Sequence, residues 1–211
     1  VNILVVTHRL PFPPTRGGKI RPFHIIRYLA RAHRVTVASL ARSAQEAEAG
    51  AGLRAYCHRL LVDIISPTEA LYRMLVRLPT PTPSSMGYFF SPRLLRRLRR
   101  LLREEHFDLV FVHCAFVAPY VAWVTGPAKF LDFGDMDSQK WLAYSRARRF
   151  PLTLGYALEA HKLRHAELRL ARQFDHVYHA RRAGDARRVW PRGSDRLVSE
   201  WRGSRVFPPF G

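Results

Sequence analysis

The strongest constraint on the fold lies in the first forty residues. Asn2-Ile-Leu-Val-Val-Thr7 is a continuous, β-branched apolar run. It lacks the alternation of a half-exposed strand and so reads as a strand buried on both faces. A loop rich in Pro follows, carrying Gly17-Gly18-Lys19, and then a helical pattern through Ile25, Ile26 and Leu29. Val35-Thr-Val-Ala-Ser-Leu40 supplies a second buried strand. Strand, loop, helix and strand make a βαβ unit, and in open parallel sheets ligands gather at the carboxyl ends of the strands. Gly17 and Gly18 open the helix at that edge, where unpaired N–H groups and the helix dipole favour an anion.

The alternation continues along the chain. Strand-like runs recur at 60–65, 109–113 and 130–133, and helical patterns at 44–56, 69–78, 93–105 and 152–172. The expected class is α/β, a parallel sheet with helices on both faces. Residues 80–91, with repeated Pro and Ser, read as a loop. At 211 residues the chain has room for one well-buried domain and a fraction more. Residues 176–211 behave differently, with eight Arg against three acidic residues and no periodicity. The expected division is a domain over 1–175 and an irregular Arg-rich tail over 176–211, packed least from 184 onward. A premature end or a shifted frame in an Arg-rich gene accounts for the tail's composition.

The formal charge is +19, nearly all of it arginine. Such a balance attracts phosphate-bearing ligands, nucleic acid or acidic lipid. Cys57 and Cys114 have no metal-ligand spacing and suggest no disulfide framework. No apolar run approaches a membrane span, and the expected location is cytoplasmic, with peripheral contact at the inner membrane face left open. Residues 92–103 alternate leucines with arginines as a basic amphipathic helix. Its leucines either pack on the sheet or dock on anionic lipid, with Tyr88, Phe89 and Phe90 as an interfacial anchor. No helix-turn-helix, zinc-finger or RNA-recognition signature accompanies the charge, so no specific nucleic-acid partner is expected.

Two segments concentrate chemistry. The Gly17-Gly18-Lys19 loop matches neither the P-loop nor the dinucleotide fingerprint. It is a proline-stiffened loop presenting two glycines and a lysine at a helix start. Either it meets a ligand, or glycine serves backbone freedom alone. The second segment is Asp132-Phe-Gly-Asp135-Met-Asp137-Ser138-Gln-Lys140-Trp141. Asp135 and Asp137 spell a D-x-D that suits a divalent ion held against a diphosphate. A polar substrate contact is the preferred reading over metal, and Asp137 or Ser138 also suits a helix cap. His113 and His8, at strand ends, are lesser candidates.

Together these blocks resemble one family. The opening I-L-V-V-T-H-R-L-P-F-P-P-T-R-G-G-K-I-R-P-F-H is similar to the start of a group-1 (family 4) glycosyltransferase. L-D-F-G-D-M-D-S-Q-K-W resembles the sugar transferases of exosortase-type exopolysaccharide systems. The resemblance runs from Val1 to about Asp175. It implies the amino-terminal, Rossmann-like half of a GT-B enzyme, binding the acceptor, with a nucleotide-sugar as donor substrate and no metal or other cofactor. It places Gly17 and Gly18 near the donor diphosphate, with Lys19 assisting. Arg21, Asp137, Ser138 and Lys140 would line the acceptor side. Asp135 becomes the catalytic candidate, because Gly134 stands where many relatives carry a sugar-contacting histidine. The implied activity is sugar transfer to a polysaccharide or lipid-linked acceptor, absent from this chain alone because the donor domain is missing. The alternative from another class is a basic binding module for nucleic acid or anionic membrane without chemistry.

Overall fold

The computed structural model describes residues 1–178. Its frame is six strands: β1 (Asn2–Thr7), β2 (Arg34–Ala41), β3 (Arg59–Ile64), β4 (Leu109–His113), β5 (Ala128–Asp132) and β6 (His176–Tyr178). All five neighbouring pairs are parallel, in the order β3-β2-β1-β4-β5-β6. This is the strand order of the doubly wound dinucleotide-binding sheet, with its direction of progression reversing between β1 and β4. The expected α/β class and parallel sheet are therefore present. His176–Tyr178, just past the expected boundary at Asp175, pairs with Phe130–Asp132 as an edge strand. The sequence read there as irregular because three residues are too few to show a period. The rest of the expected tail, 179–211, lies outside the described residues.

The helices are α1 (Gly17–Leu29), α2 (Ala44–Ala49), α3 (Pro67–Leu75), α4 (Ser84–Tyr88), α5 (Pro92–Glu104), α6 (Asp137–Arg146) and α7 (Leu152–Ala171). Two cores result, one on each face of the sheet. Ile3, Val5, Val35, Val37 and Phe111 pack with Phe23, Ile25, Ile26 and Leu29 of α1. Leu4, Val6, Val110, Val112 and Leu131, the alternate residues, pack against leucines of α5 and α7. Both sides of each central strand are apolar because both are covered, as the uninterrupted hydrophobic runs require.

The basic amphipathic helix takes the structural of its two readings. Leu94, Leu98 and Leu101 of α5 are buried, and Leu95 and Leu102 pack against the same core. The Ser91 hydroxyl caps the helix through the Leu94 amide, and Pro92 occupies its first turn. Phe89 is also buried, stacked on Phe116 at 5.0 Å between ring centres. Neither the leucine face nor Phe89 is available to a bilayer. Among the described residues, no helix is long and apolar enough to cross a membrane.

Part of the expected 80–91 loop is α4, held by a charge. Glu159 of α7 accepts from the Ser84 amide (3.0 Å), the Ser85 amide (2.8 Å) and the Ser85 hydroxyl (2.6 Å). Lys162, one turn further along α7, donates to the Leu78 carbonyl at 2.6 Å. A serine-rich segment that looks like loop chemistry is thus organised by buried charges from a distant helix.

Replacing Leu98 by Ala is expected to cost about 2–5 kcal/mol in urea denaturation, the range for truncating a buried leucine. Leu71→Ala, on the exposed face of α3, is expected to change stability by less than about 0.5 kcal/mol.

Candidate functional site

The positions of β1, β2 and β4 that face α1 are apolar until the last rung they share. There the register sets Ser39, Thr7, His113, Asp132 and Tyr178 side by side across five strands. Residues in register on parallel strands share a face, so these side chains form one polar row at the carboxyl edge. Thr7 donates to the Ser39 hydroxyl at 2.8 Å. His113 Nδ1 lies 3.0 Å from Asp132 Oδ2. A carboxylate at Nδ1 fixes the proton there and leaves Nε2 as the basic nitrogen.

Asp132 is the centre of this row. Its carboxylate is only 1% exposed, and it also receives Arg21 Nε at 3.2 Å and the Gly134 amide at 2.9 Å. Arg21 lies one turn inside α1, and its guanidinium sits 4.4 Å from the centre of the Tyr178 ring. One carboxylate therefore ties the helix begun by Gly17 to the ends of β4 and β5. The bond to Gly134 closes a tight turn in which Gly134 adopts φ +66°, a conformation suited to glycine. Cys114, directly after His113, holds φ +85°, strained for a non-glycine residue.

The β1–β4 crevice, where ligands of such sheets bind, is lined by histidines. The rings of His8 and His113 lie 5.8 Å apart, and His8 meets Phe89 edge-on at 5.5 Å. His8 keeps an exposed edge, but its Nδ1 is sealed from solvent with no partner. Burial, and then repulsion from His113, push its pKa down to about 3, so the ring is neutral at physiological pH.

Gly17 and Gly18 are exposed at the start of α1. Arg16 occupies the cap position without a side-chain cap bond, and no acidic residue stands in the first turn. The Gly17 and Gly18 amides have no intrahelical acceptor, whereas the Lys19 amide bonds the Arg16 carbonyl at 2.7 Å. A Cβ built on either glycine meets nothing within 4 Å, and neither glycine has a positive φ. Neither packing nor backbone conformation requires glycine here. Lys19 is partly engaged, its ammonium lying 2.7 Å from Glu46 Oε1. Glu46 also accepts from the Arg42 amide at 2.8 Å, and these donors hold its pKa below the usual range against the cost of burial.

The second block divides. Asp135 and Lys140 are exposed, whereas Ser138 is buried. Glu167 of α7 accepts from the Ser138 amide at 3.0 Å and its hydroxyl at 2.5 Å, so Ser138 anchors the start of α6 and is not free for substrate. Asp137 opens α6, and its Oδ2 lies 3.8 Å from Cys114 Sγ. Burial raises Asp137 to about 6, reinforced by Asp135 and opposed by Lys140. Burial raises Glu167 to about 7 despite the two Ser138 bonds. Among the described residues, no cluster of three or more His, Cys, Asp or Glu forms a metal site.

The sequence motifs missed Asp132, Glu46 and Glu167. An aspartate ending an otherwise apolar strand was the available signal for Asp132. Glu46 stands three residues after the Ser43 cap, the spacing of a capping box, whereas no local pattern reveals Glu167, which meets Ser138 only after folding. A depression of about 490 Å³ lined by Arg27, Arg31, His33, Tyr56, Cys57 and His58 lies at the amino ends of the strands. It is far from this chemistry and is not preferred, since the loops that bind ligands in such sheets leave the opposite edge.

Comparison with known proteins adds the decisive observation. The family model described as Glycosyltransferase Family 4 matches residues 15–131, a little over half of the chain. The chain belongs to glycosyltransferase family 4. No curated protein matches it. The matched span opens two residues before Gly17 and includes Arg21 and His113 of this family-4 domain. It closes one residue before Asp132, so the Asp135–Lys140 segment lies outside the matched span.

Two tests follow from the geometry. Asp132→Ala leaves Arg21 and His113 without their shared carboxylate, and a loss of about 3–5 kcal/mol in urea denaturation is expected. The raised carboxyls set a pH dependence. A carboxyl whose folded pKa is raised contributes most below its unfolded value and loses that contribution as pH rises through the folded value. For Glu167 the decline spans its unfolded value of 4.5 to about 7. The urea midpoint of the wild type should therefore fall over that window, and Glu167→Gln should flatten the slope.

Proposed function

We propose that this family-4 domain is the acceptor-side wall of a GT-B glycosyltransferase that moves a sugar from a nucleotide donor to a polysaccharide or lipid-linked acceptor. A second Rossmann-like unit facing the carboxyl edge would hold the donor. The exopolysaccharide type is the version favoured by the L-D-F-G-D-M-D-S-Q-K-W resemblance. A basic binding module without chemistry has no comparable support, since the family match spans the glycine loop itself.

The observation that carries the reading is the vacant space beside Gly17 and Gly18, with which neither neighbouring atoms nor backbone angles conflict. Glycine at both positions lets a diphosphate approach the amides closely, which a Cβ would prevent. The departing nucleoside diphosphate gains negative charge as the glycosidic bond breaks, and fixed N–H donors aimed at it lower the barrier. Arg21, held by Asp132, adds positive charge one turn along the same helix. His113 Nε2 is the basic atom best placed on the polar row, and Asp135 is an exposed acid–base group at that edge. Asp137 and Lys140 would meet the acceptor from the start of α6, while Ser138 holds that start in place.

The proposal separates function from stability. Gly17→Ala and Gly18→Ala should each stabilise the fold by up to about 1 kcal/mol in urea denaturation, because alanine restricts the unfolded chain. In a transfer assay with a donor-side unit of the family supplied, Gly18→Val should reduce turnover by about a hundredfold. Unchanged turnover would refute the diphosphate role. Calorimetric titration of the chain alone with uridine diphosphate glucose should show binding weaker than about 1 mM; micromolar affinity would overturn the acceptor-side assignment.

A further inference from the structure

With the α5 leucines and Phe89 packed inside, the large exposed hydrophobic side chains of the domain gather elsewhere. The longest such series runs through the hairpin formed by α6, the connecting turn and α7. Leu142, Tyr144, Phe150, Leu152, Leu154 and Leu158 are all exposed. Phe150, in the turn, is 79% exposed and Leu154 is 62% exposed. Monomeric soluble surfaces carry single exposed apolar residues, but a local series of this size marks an interaction surface.

The charge along the same stretch is one-sided. Residues 138–158 contain Lys140, Arg146, Arg148 and Arg149 and no Asp or Glu. Arg146, Arg148 and Arg149 are exposed, and two of them directly precede Phe150. Trp141 and Tyr144 flank Tyr156 at 5.3 and 6.0 Å between ring centres, so the hairpin also carries amphipathic aromatics. A second exposed strip, Leu71, Tyr72 and Leu75 of α3, lies on an element whose following turn is tied to α7 through Lys162 and the Leu78 carbonyl.

We propose that the tip of the α6–α7 hairpin docks on an anionic phospholipid bilayer. Phe150, Leu152 and Leu154 would enter the boundary between headgroups and acyl chains. The arginines would remain among the lipid phosphates, their stems lying along the apolar surface. Tyr144 and Trp141 are the residue types that favour the headgroup level. An anionic bilayer meets both demands at once, accepting apolar side chains and neutralising Arg146, Arg148 and Arg149, which have no acidic residue among 138–158. The α5 helix, by contrast, offers arginines without free apolar side chains.

Sedimentation of the full 211-residue chain with vesicles tests this directly. The vesicles would be phosphatidylcholine containing about a quarter phosphatidylglycerol, in about 0.1 M salt, with pure phosphatidylcholine as the comparison. Partitioning should favour the anionic vesicles, and Phe150→Ser with Leu154→Ser should weaken it about tenfold. Arg96→Gln with Arg100→Gln on α5 should change it by less than about twofold. Both pairs of side chains are exposed, and unchanged urea midpoints would verify folding. Undiminished partitioning of the Phe150/Leu154 variant, or an equal loss from the α5 variant, would overturn the proposal. A dimer in solution that the Phe150/Leu154 variant abolishes, with no vesicle binding, would assign the tip to a second copy instead. Vesicle binding is independent of sugar transfer, so failure here leaves the transferase reading intact.

Discussion

A single buried carboxylate organises the functional edge of this domain. Asp132 ends an apolar strand, where an uncompensated charge would cost several kcal/mol. Its surroundings compensate it with Arg21 Nε, His113 Nδ1 and the Gly134 amide. Each of these partners belongs to a different part of the chain: a helix start, the neighbouring strand and the following turn. Satisfying Asp132 therefore requires α1, β4 and the β5 turn to be assembled correctly. The same bonds fix the His113 tautomer, aim Arg21 across the sheet edge and fold the chain sharply before Asp135. The polar row is consequently a constraint on folding as well as a source of chemistry.

The opposite face uses the same device three times along α7. Glu159, Lys162 and Glu167 are buried polar groups on a helix otherwise packed through Leu163, Ala166 and Leu170. Their partners are backbone groups and serines at the starts of α4 and α6 and in the turn after α3. Helix starts leave amide donors without acceptors, and a carboxylate from a neighbouring helix supplies them. Glu167 shows the tension in this arrangement, since two good hydrogen bonds fail to offset its burial. A long helix that packs by apolar residues alone could slide; these bonds fix its register against α4, α6 and the turn after α3.

The frame was legible in the sequence because burial on both faces demands uninterrupted apolar strands, and Ile3–Val6 and Val35–Val37 satisfy that demand locally. The helix at 92–104 was legible for the same reason, through leucines at three-to-four spacing. Its role was not, because the same pattern suits a sheet and a bilayer; only the burial of Leu94, Leu98 and Leu101 separates them. At the site, Gly17, Gly18 and Arg21 were visible as residue types on a recognisable loop. The tie of Ser138 to Glu167 was not legible, because the two lie twenty-nine residues apart and no local rule connects them. Asp132 was overlooked beside the more conspicuous D-x-D, although its position at the end of β5 makes it the better-connected acid.

The glycines acquire their meaning from what surrounds them. At Gly134 the backbone itself calls for glycine through a positive φ, so conformation is sufficient explanation. At Gly50 a Cβ would collide with Leu10, so packing is sufficient. Gly17 and Gly18 have neither reason, and glycine at a helix start weakens the helix relative to alanine. The remaining physical role for two consecutive missing side chains is access to the amides they carry. On the proposed transferase reading, the charge that would use such access is the diphosphate of the donor. Arg21, one turn onward and held in place by Asp132, would add its charge to those amides, which makes the buried carboxylate of β5 and the open glycines of α1 parts of one device.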